Sequence, residues 1–157
     1  MPRTFERALL GGTFDHFHNG HEKLLLSALV HCQNLELWIT NDIIAFKKKG
    51  GVQPFEERMA FLKKWIQENK VQKRIKVQKL NDAIGPAEYR LDCDAIICTS
   101  ETLLGCENIN KKRIESNIKP LEIIVIEHFV SEDGVNLSSS LIRNGEYTRT
   151  GSKWINY

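Results

Sequence analysis

The stretch "ALLGGTFDHFHNGHEKLLL", residues 8–26, decides the fold. It passes from an apolar segment through Gly11 and Gly12 into a turn rich in histidine, then out into leucines. An apolar run of strand length, a glycine pair and then apolar residues at helical spacing mark a buried strand that turns into a helix. Leu24, Leu25, Ala28 and Leu29 supply that spacing, and intervals of three and four put them on one helix face. The first strand is read at 7–10, and the alternation continues beyond the helix. Apolar runs suited to buried strands recur at 35–40, 74–80, 94–98 and 121–127. Phe55, Met59, Leu62, Trp65 and Ile66 outline a second amphipathic helix, a shorter one follows Pro86, and another covers 101–116. Strand-helix alternation of this kind predicts an α/β, doubly wound, five-stranded parallel sheet with helices on both faces. Loops are expected at 41–53, 81–86 and 129–137. A short helix then precedes a tail, 145–157, to which the sequence assigns no structure.

With 157 residues, the chain is read as a single domain, long enough to bury a core without disulfides or metal. A formal charge of +2, with 41% hydrophobic and 27% charged residues, excludes general nucleic-acid binding by bulk charge. Cys32, Cys93, Cys98 and Cys106 form no Cys-x-x-Cys pair and read as reduced core thiols. The N-terminus lacks the apolar core of a signal peptide and no run is long enough to span a bilayer. The expectation is a soluble, cytoplasmic protein that uses neither membrane nor nucleic acid.

In a doubly wound sheet, ligands bind beyond the carboxyl ends of the strands. The unusual stretches 11–21, 41–49, 99–101 and 129–140 all fall there. Gly11 and Gly12 allow backbone to approach a ligand closely. Gly20 lies in the first turn of the coming helix, where exposed N–H groups and the dipole attract anions. His18 and His21 can face one side of that turn, and an imidazole beside phosphate donates a hydrogen bond or neutralises charge. Thr13 adds a hydroxyl. The spacing is neither the dinucleotide-binding glycine fingerprint nor a P-loop. A zinc site of His16, His18 and His21 lacks a thiol or spaced carboxylate to complete it, so no metal-ligating residues are assigned. The competing reading is a tight turn whose glycines serve geometry and whose histidines cap the helix.

"GGTFDHFHNGH" resembles the signature of the nucleotidylyltransferase superfamily, in which His-x-Gly-His opens a helix. "LSSSLIR" (137–143) resembles that superfamily's second, Ser/Thr-rich turn. Four further stretches are similar to phosphopantetheine adenylyltransferases of the archaeal and eukaryotic type: "FKKKGGVQPFEER" (46–58), "AIGPA" (83–87), "DAIICTSETLLGCENINKKR" (94–113) and "PLEIIVIE" (120–127). The resemblance extends to about Gly145. It implies a Rossmann-like domain that moves AMP from ATP to 4′-phosphopantetheine, giving 3′-dephospho-CoA and pyrophosphate, with Mg²⁺ as the counterion of ATP.

By that resemblance, Thr13 orients the acceptor phosphate and the α-phosphate, while His18 and His21 contact the triphosphate. A lysine after the second strand bridges both phosphates; counting from Asp42 favours Lys47, with Lys48 second. Ser100 and Glu101 lie where relatives contact adenine or ribose. Ser138, Ser139 and Ser140, with Arg143, are placed against β- and γ-phosphate oxygens, and Arg113 of "NKKR" is set against phosphate or a solvated helix face. Asp15 fixes the turn by hydrogen bonding its backbone, Phe14 and Phe17 belong to the core, and Arg58 forms a structural ion pair. His16 stands where the common motif has proline. Alternatives are a nicotinamide mononucleotide adenylyltransferase, a CTP-dependent cytidylyltransferase and a nucleotide-binding module without turnover. The sequence does not fix the oligomeric state; a monomer is the expectation.

Overall fold

β1 (Phe5–Gly12) is the centre of the sheet, and its Ala8, Leu9 and Leu10 are 0, 3 and 4% exposed. Both faces of this strand are covered, so its apolar run is continuous rather than alternating. The computed structural model describes residues 4–48, 51–82 and 85–126. After β1 come α1 (Asn19–His31), β2 (Cys32–Thr40), α2 (Asp42–Lys48), α3 (Phe55–Glu68) and β3 (Ile75–Leu80). A 3₁₀ turn at Pro86–Glu88, β4 (Ala95–Cys98), α4 (Leu103–Glu115) and β5 (Glu122–Val125) complete the described chain.

The sheet has five strands in the order β3-β2-β1-β4-β5, and every pairing is parallel. β1 runs beside β2 from Phe5 opposite Cys32 to Gly12 opposite Ile39. On its other side Ala8 and Leu9 face Ala95 and Ile96. The winding reverses between β1 and β4, which opens a crevice at their carboxyl ends. Leu25, Ala28 and Leu29 of α1 and Met59, Leu62, Trp65 and Ile66 of α3 bury one face of the sheet. Ala87, Cys106 and Leu121 pack with Leu9, Ile96 and Cys98 on the other. The doubly wound expectation holds in strand number, direction and the two covered faces.

The expected loop at 41–53 is corrected, because 42–48 are helical. Asn41 caps this helix through Oδ1, which accepts the N–H of Ile44 at 2.8 Å, and Ala45 is buried. One anchored position in seven residues leaves too little apolar periodicity to read. The four cysteines are free and buried. Burial pushes the Cys32 and Cys93 thiols up to about 11 and Cys106 to about 12, so they stay neutral.

Candidate active site

The turn between β1 and α1 is closed by an unusual cap. His18 is the N-cap, and its Nδ1 accepts the N–H of Gly20 at 3.0 Å. In return, the Nδ1 of His21 accepts the N–H of His18 at 3.2 Å. Two imidazoles thereby form a capping box usually made by a hydroxyl and a carboxylate. Their rings stack with centroids 3.8 Å apart and planes 22° from parallel. His21 also lies against Phe14 and Phe17, at 5.0 and 5.4 Å between centroids, and Phe17 leans on Trp65. Each Nδ1 is occupied as an acceptor, so each neutral ring carries its proton on Nε2 and offers a donor there. Burial, and after it the neighbouring His18, holds His21 well below the ordinary imidazole range. His21 is therefore neutral at pH 7. Gly20 does not present its own N–H to an anion as expected, because His18 consumes it.

The turn is strained, and its glycines are not where the strain lies. Phe14 has φ 53° and His16 φ 46°, whereas among the described glycines only Gly51 has a positive φ. Gly12 is needed for a local reason: a Cβ there would come within 3.0 Å of the Phe14 ring. At exposed Gly11 a Cβ would make only an ordinary contact with the Trp38 carbonyl, so Gly11 leaves the end of β1 open. Non-glycine residues in the left-handed region cost about 1–2 kcal/mol each and persist where surrounding bonds over-determine them. Those bonds come from the segment leading into α3. Gln53 Oε1 accepts the N–H of His16 at 2.8 Å, and Asp15 Oδ1 accepts the N–H of Gln53 at 2.9 Å. Asp15 thus ties the turn to a distant segment.

Arg58, 1% exposed, completes the support. Its Nη1 donates to the carbonyls of Thr13 and Thr40 at 3.0 and 2.7 Å. Its Nε donates to the carbonyl of Gln53 at 2.9 Å, and its Nη2 to Asp42 Oδ1 at 3.0 Å. The expected ion pair is present, together with three main-chain bonds. Thr40 donates its hydroxyl to Thr13 Oγ1 at 3.0 Å, leaving Thr13's own proton to point elsewhere. Thr40, Gln53 and Arg58 were not read as site residues; the only sequence signal for Arg58 was a basic residue in a run of acids.

The remaining candidates separate. Lys47 is exposed near the end of α2. Ser100 and Glu101 are exposed between β4 and α4, at the carboxyl end of the sheet where they were expected. The side chain of Lys48, and all of Ser138, Ser139, Ser140 and Arg143, lie outside the described residues. Arg113 is corrected. It is 2% exposed and donates to the carbonyls of Lys119, Ala87 and Arg90 at 2.8, 2.8 and 2.7 Å. A guanidinium committed to three carbonyls inside the protein is a brace for the loop that precedes β4, not a phosphate ligand. Phe14 and Phe17 are buried, as read. Among the described residues no group of three or more His, Cys, Asp or Glu could hold a metal ion.

A cytidylyltransferase-like family model matches residues 9–145. A phosphopantetheine adenylyltransferase of Methanopyrus kandleri is 34% identical, covering 88% of this chain and 89% of its own. One from Pyrococcus furiosus is 33% identical, with 92% and 91% covered. The chain belongs to the phosphopantetheine adenylyltransferase family. A crystal structure of an Archaeoglobus fulgidus protein of unknown function superimposes with a TM-score of 0.69 at 25% identity, covering 76% of this chain and 88% of that one. His18 and His21 at the N-terminus of α1 and the Thr13 hydroxyl all belong to the segment that links β1 to α1.

Proposed function

We propose that this chain transfers the adenylyl group of ATP to 4′-phosphopantetheine, forming 3′-dephospho-CoA and pyrophosphate in coenzyme A synthesis. An oxygen of the 4′-phosphate attacks the α-phosphorus, and the bond from that phosphorus to the α–β bridging oxygen breaks. The nucleophile is already an anion, so what the protein must supply is alignment of two polyanions and stabilisation of charge moving onto pyrophosphate. The observation that carries the reading is the His18–His21 capping box, which fixes two N–H donors at a helix N-terminus. In this proposal Thr13 donates its hydroxyl to the reacting phosphates, and His18 and His21 donate from Nε2 to the triphosphate. Lys47, or Lys48 beside it, screens the two phosphates from each other. Gly11 and Gly12 admit the ligand at the end of β1, and Gly20 allows the cap. Ser100 and Glu101 are assigned to the nucleoside side, and Ser138, Ser139, Ser140 and Arg143 to the β- and γ-phosphates. Magnesium enters with ATP, held by phosphate and water, in keeping with a donor set of hydroxyl, imidazole and ammonium groups. A monomeric cytoplasmic enzyme of one domain fits this reading, and no described helix is long and apolar enough to cross a membrane.

Pyrophosphate release tests it. ATP with 4′-phosphopantetheine should give turnover well above that with nicotinamide mononucleotide or glycerol 3-phosphate, and CTP should not replace ATP. Preference for another acceptor would reassign the substrate, and no turnover with any pair would leave a nucleotide-binding module.

A further inference from the structure

We propose that Arg58 is a positioning residue for the transfer, holding the phosphate-binding turn and the lysine-bearing helix α2 as one frame. The inference rests on the adenylyltransferase reading for its catalytic consequence, and on geometry alone for the frame. Four segments separated in sequence meet at this guanidinium: the β1–α1 turn at Thr13, the end of β2 at Thr40, the start of α2 at Asp42 and the segment before α3 at Gln53. Asp42 Oδ1 also accepts the N–H of Phe55 at 2.8 Å, so the first residues of α2 and α3 share one carboxylate oxygen beside Arg58.

The bond to the Thr13 carbonyl has a particular consequence. It fixes the peptide between Thr13 and Phe14, immediately before the left-handed Phe14. Gln53, whose carbonyl Arg58 holds, pins the next left-handed residue, His16, from the other side. Strain of this kind relaxes when the bonds that impose it are removed. Without Arg58 the Thr13 hydroxyl and the His18–His21 cap lose their fixed relation to Lys47, and in-line transfer is sensitive to displacements of an ångström. Lysine at 58 carries one ammonium and cannot reproduce the planar fork that reaches two carbonyls, a third carbonyl and a carboxylate together.

The test compares Arg58→Lys with the wild-type chain. Assayed well below its melting temperature with MgATP and 4′-phosphopantetheine, Arg58→Lys should lose about 100-fold in kcat with KM for ATP within about threefold. A second readout needs no substrate. Hydrogen exchange at the amides of His16, His18 and Gly20 should accelerate in Arg58→Lys, while amides of the β1–β2 ladder keep their protection. Should Arg58→Lys prove too unstable to purify, Asp42→Ala makes the same test at a partly exposed position and should show the same split between kcat and KM. Wild-type kcat with unchanged turn protection would overturn the proposal. So would a loss of kcat fully restored by cooling, since that reports global stability alone. A wild-type chain inert toward phosphopantetheine, with exchange still accelerated in Arg58→Lys, would fail the functional reading and leave the frame standing.

Discussion

His18 and His21 lie 3.8 Å apart in a ring stack, each with Nδ1 turned to a main-chain N–H of the same turn. This relationship decides what the histidines can be. A proton added at either Nδ1 would face a main-chain donor and break one half of the cap. The cap is therefore made by unprotonated Nδ1 atoms, and burial holds His21 well below the ordinary imidazole range.

The first prediction follows from that neutrality. His21 is held below its ordinary value in the fold, so as pH falls through about 6.5 the unfolded chain takes up a proton that the native chain refuses. Stability tied to His21 is complete above that pH and is lost progressively below it. Melting temperature between pH 7.5 and 5.5 should fall in the wild type and flatten in His21→Asn. In the same variant kcat should drop by about 100-fold or more while ATP affinity changes little. Near-normal kcat in His21→Asn would return the residue to a purely capping role.

Thr40→Val isolates the hydroxyl pair. Thr40 is 2% exposed, and valine fills the same space without the donor that meets Thr13 Oγ1 at 3.0 Å. The stability cost should be about 1 kcal/mol. Turnover should fall by about tenfold, since Thr13 would then be free to rotate its hydroxyl away from phosphate. Steady-state kinetics beside a urea melt separate the two effects; unchanged turnover would remove the Thr13 hydroxyl from the reaction.

Arg113→Met should give the opposite pattern. The side chain is buried and its bonds run to three main-chain carbonyls, so its loss leaves buried acceptors unpaired at a cost of about 2–4 kcal/mol. KM for ATP, measured at a temperature where the variant is folded, should stay within about twofold. A rise in KM without loss of stability would restore the phosphate-binding assignment.

Arg58 and Arg113 show why the frame was less legible than the fold. Strands such as 95–98, buried at every position, announce themselves as apolar runs. The motif 11–21 marked the strand-to-helix turn through residue types alone. Arg58 in "EER" reads only as an ion pair and Arg113 in "KKR" as a phosphate ligand or a solvated helix face, because most of their partners are main-chain carbonyls of other segments. Carbonyls carry no residue identity, so no pattern predicts which ones a guanidinium will reach. The same limit hid Gln53, whose amide holds the His16 N–H only because α3 returns the chain to the turn.

The lysines of α2 provide the last prediction. Lys47 stands near the end of a helix that begins at Asp42, and Asp42 is paired with Arg58. The helix therefore has one fixed end beside the Thr13 turn and carries Lys47 near the other. Two phosphates brought within bonding range repel by several kcal/mol at intermediate dielectric, and one ammonium between them offsets a large part of that. Glutamine keeps length and removes charge. Lys47→Gln should cut kcat/KM for ATP and for phosphopantetheine together by about 100-fold, with Lys48→Gln much milder and Lys49→Gln near wild type. Measured under saturating magnesium, a severe loss in Lys48→Gln alone moves the role by one residue. Comparable kinetics in all three variants would make the run a solvated helix end, and the charge that joins the two phosphates would have to come from elsewhere in the chain.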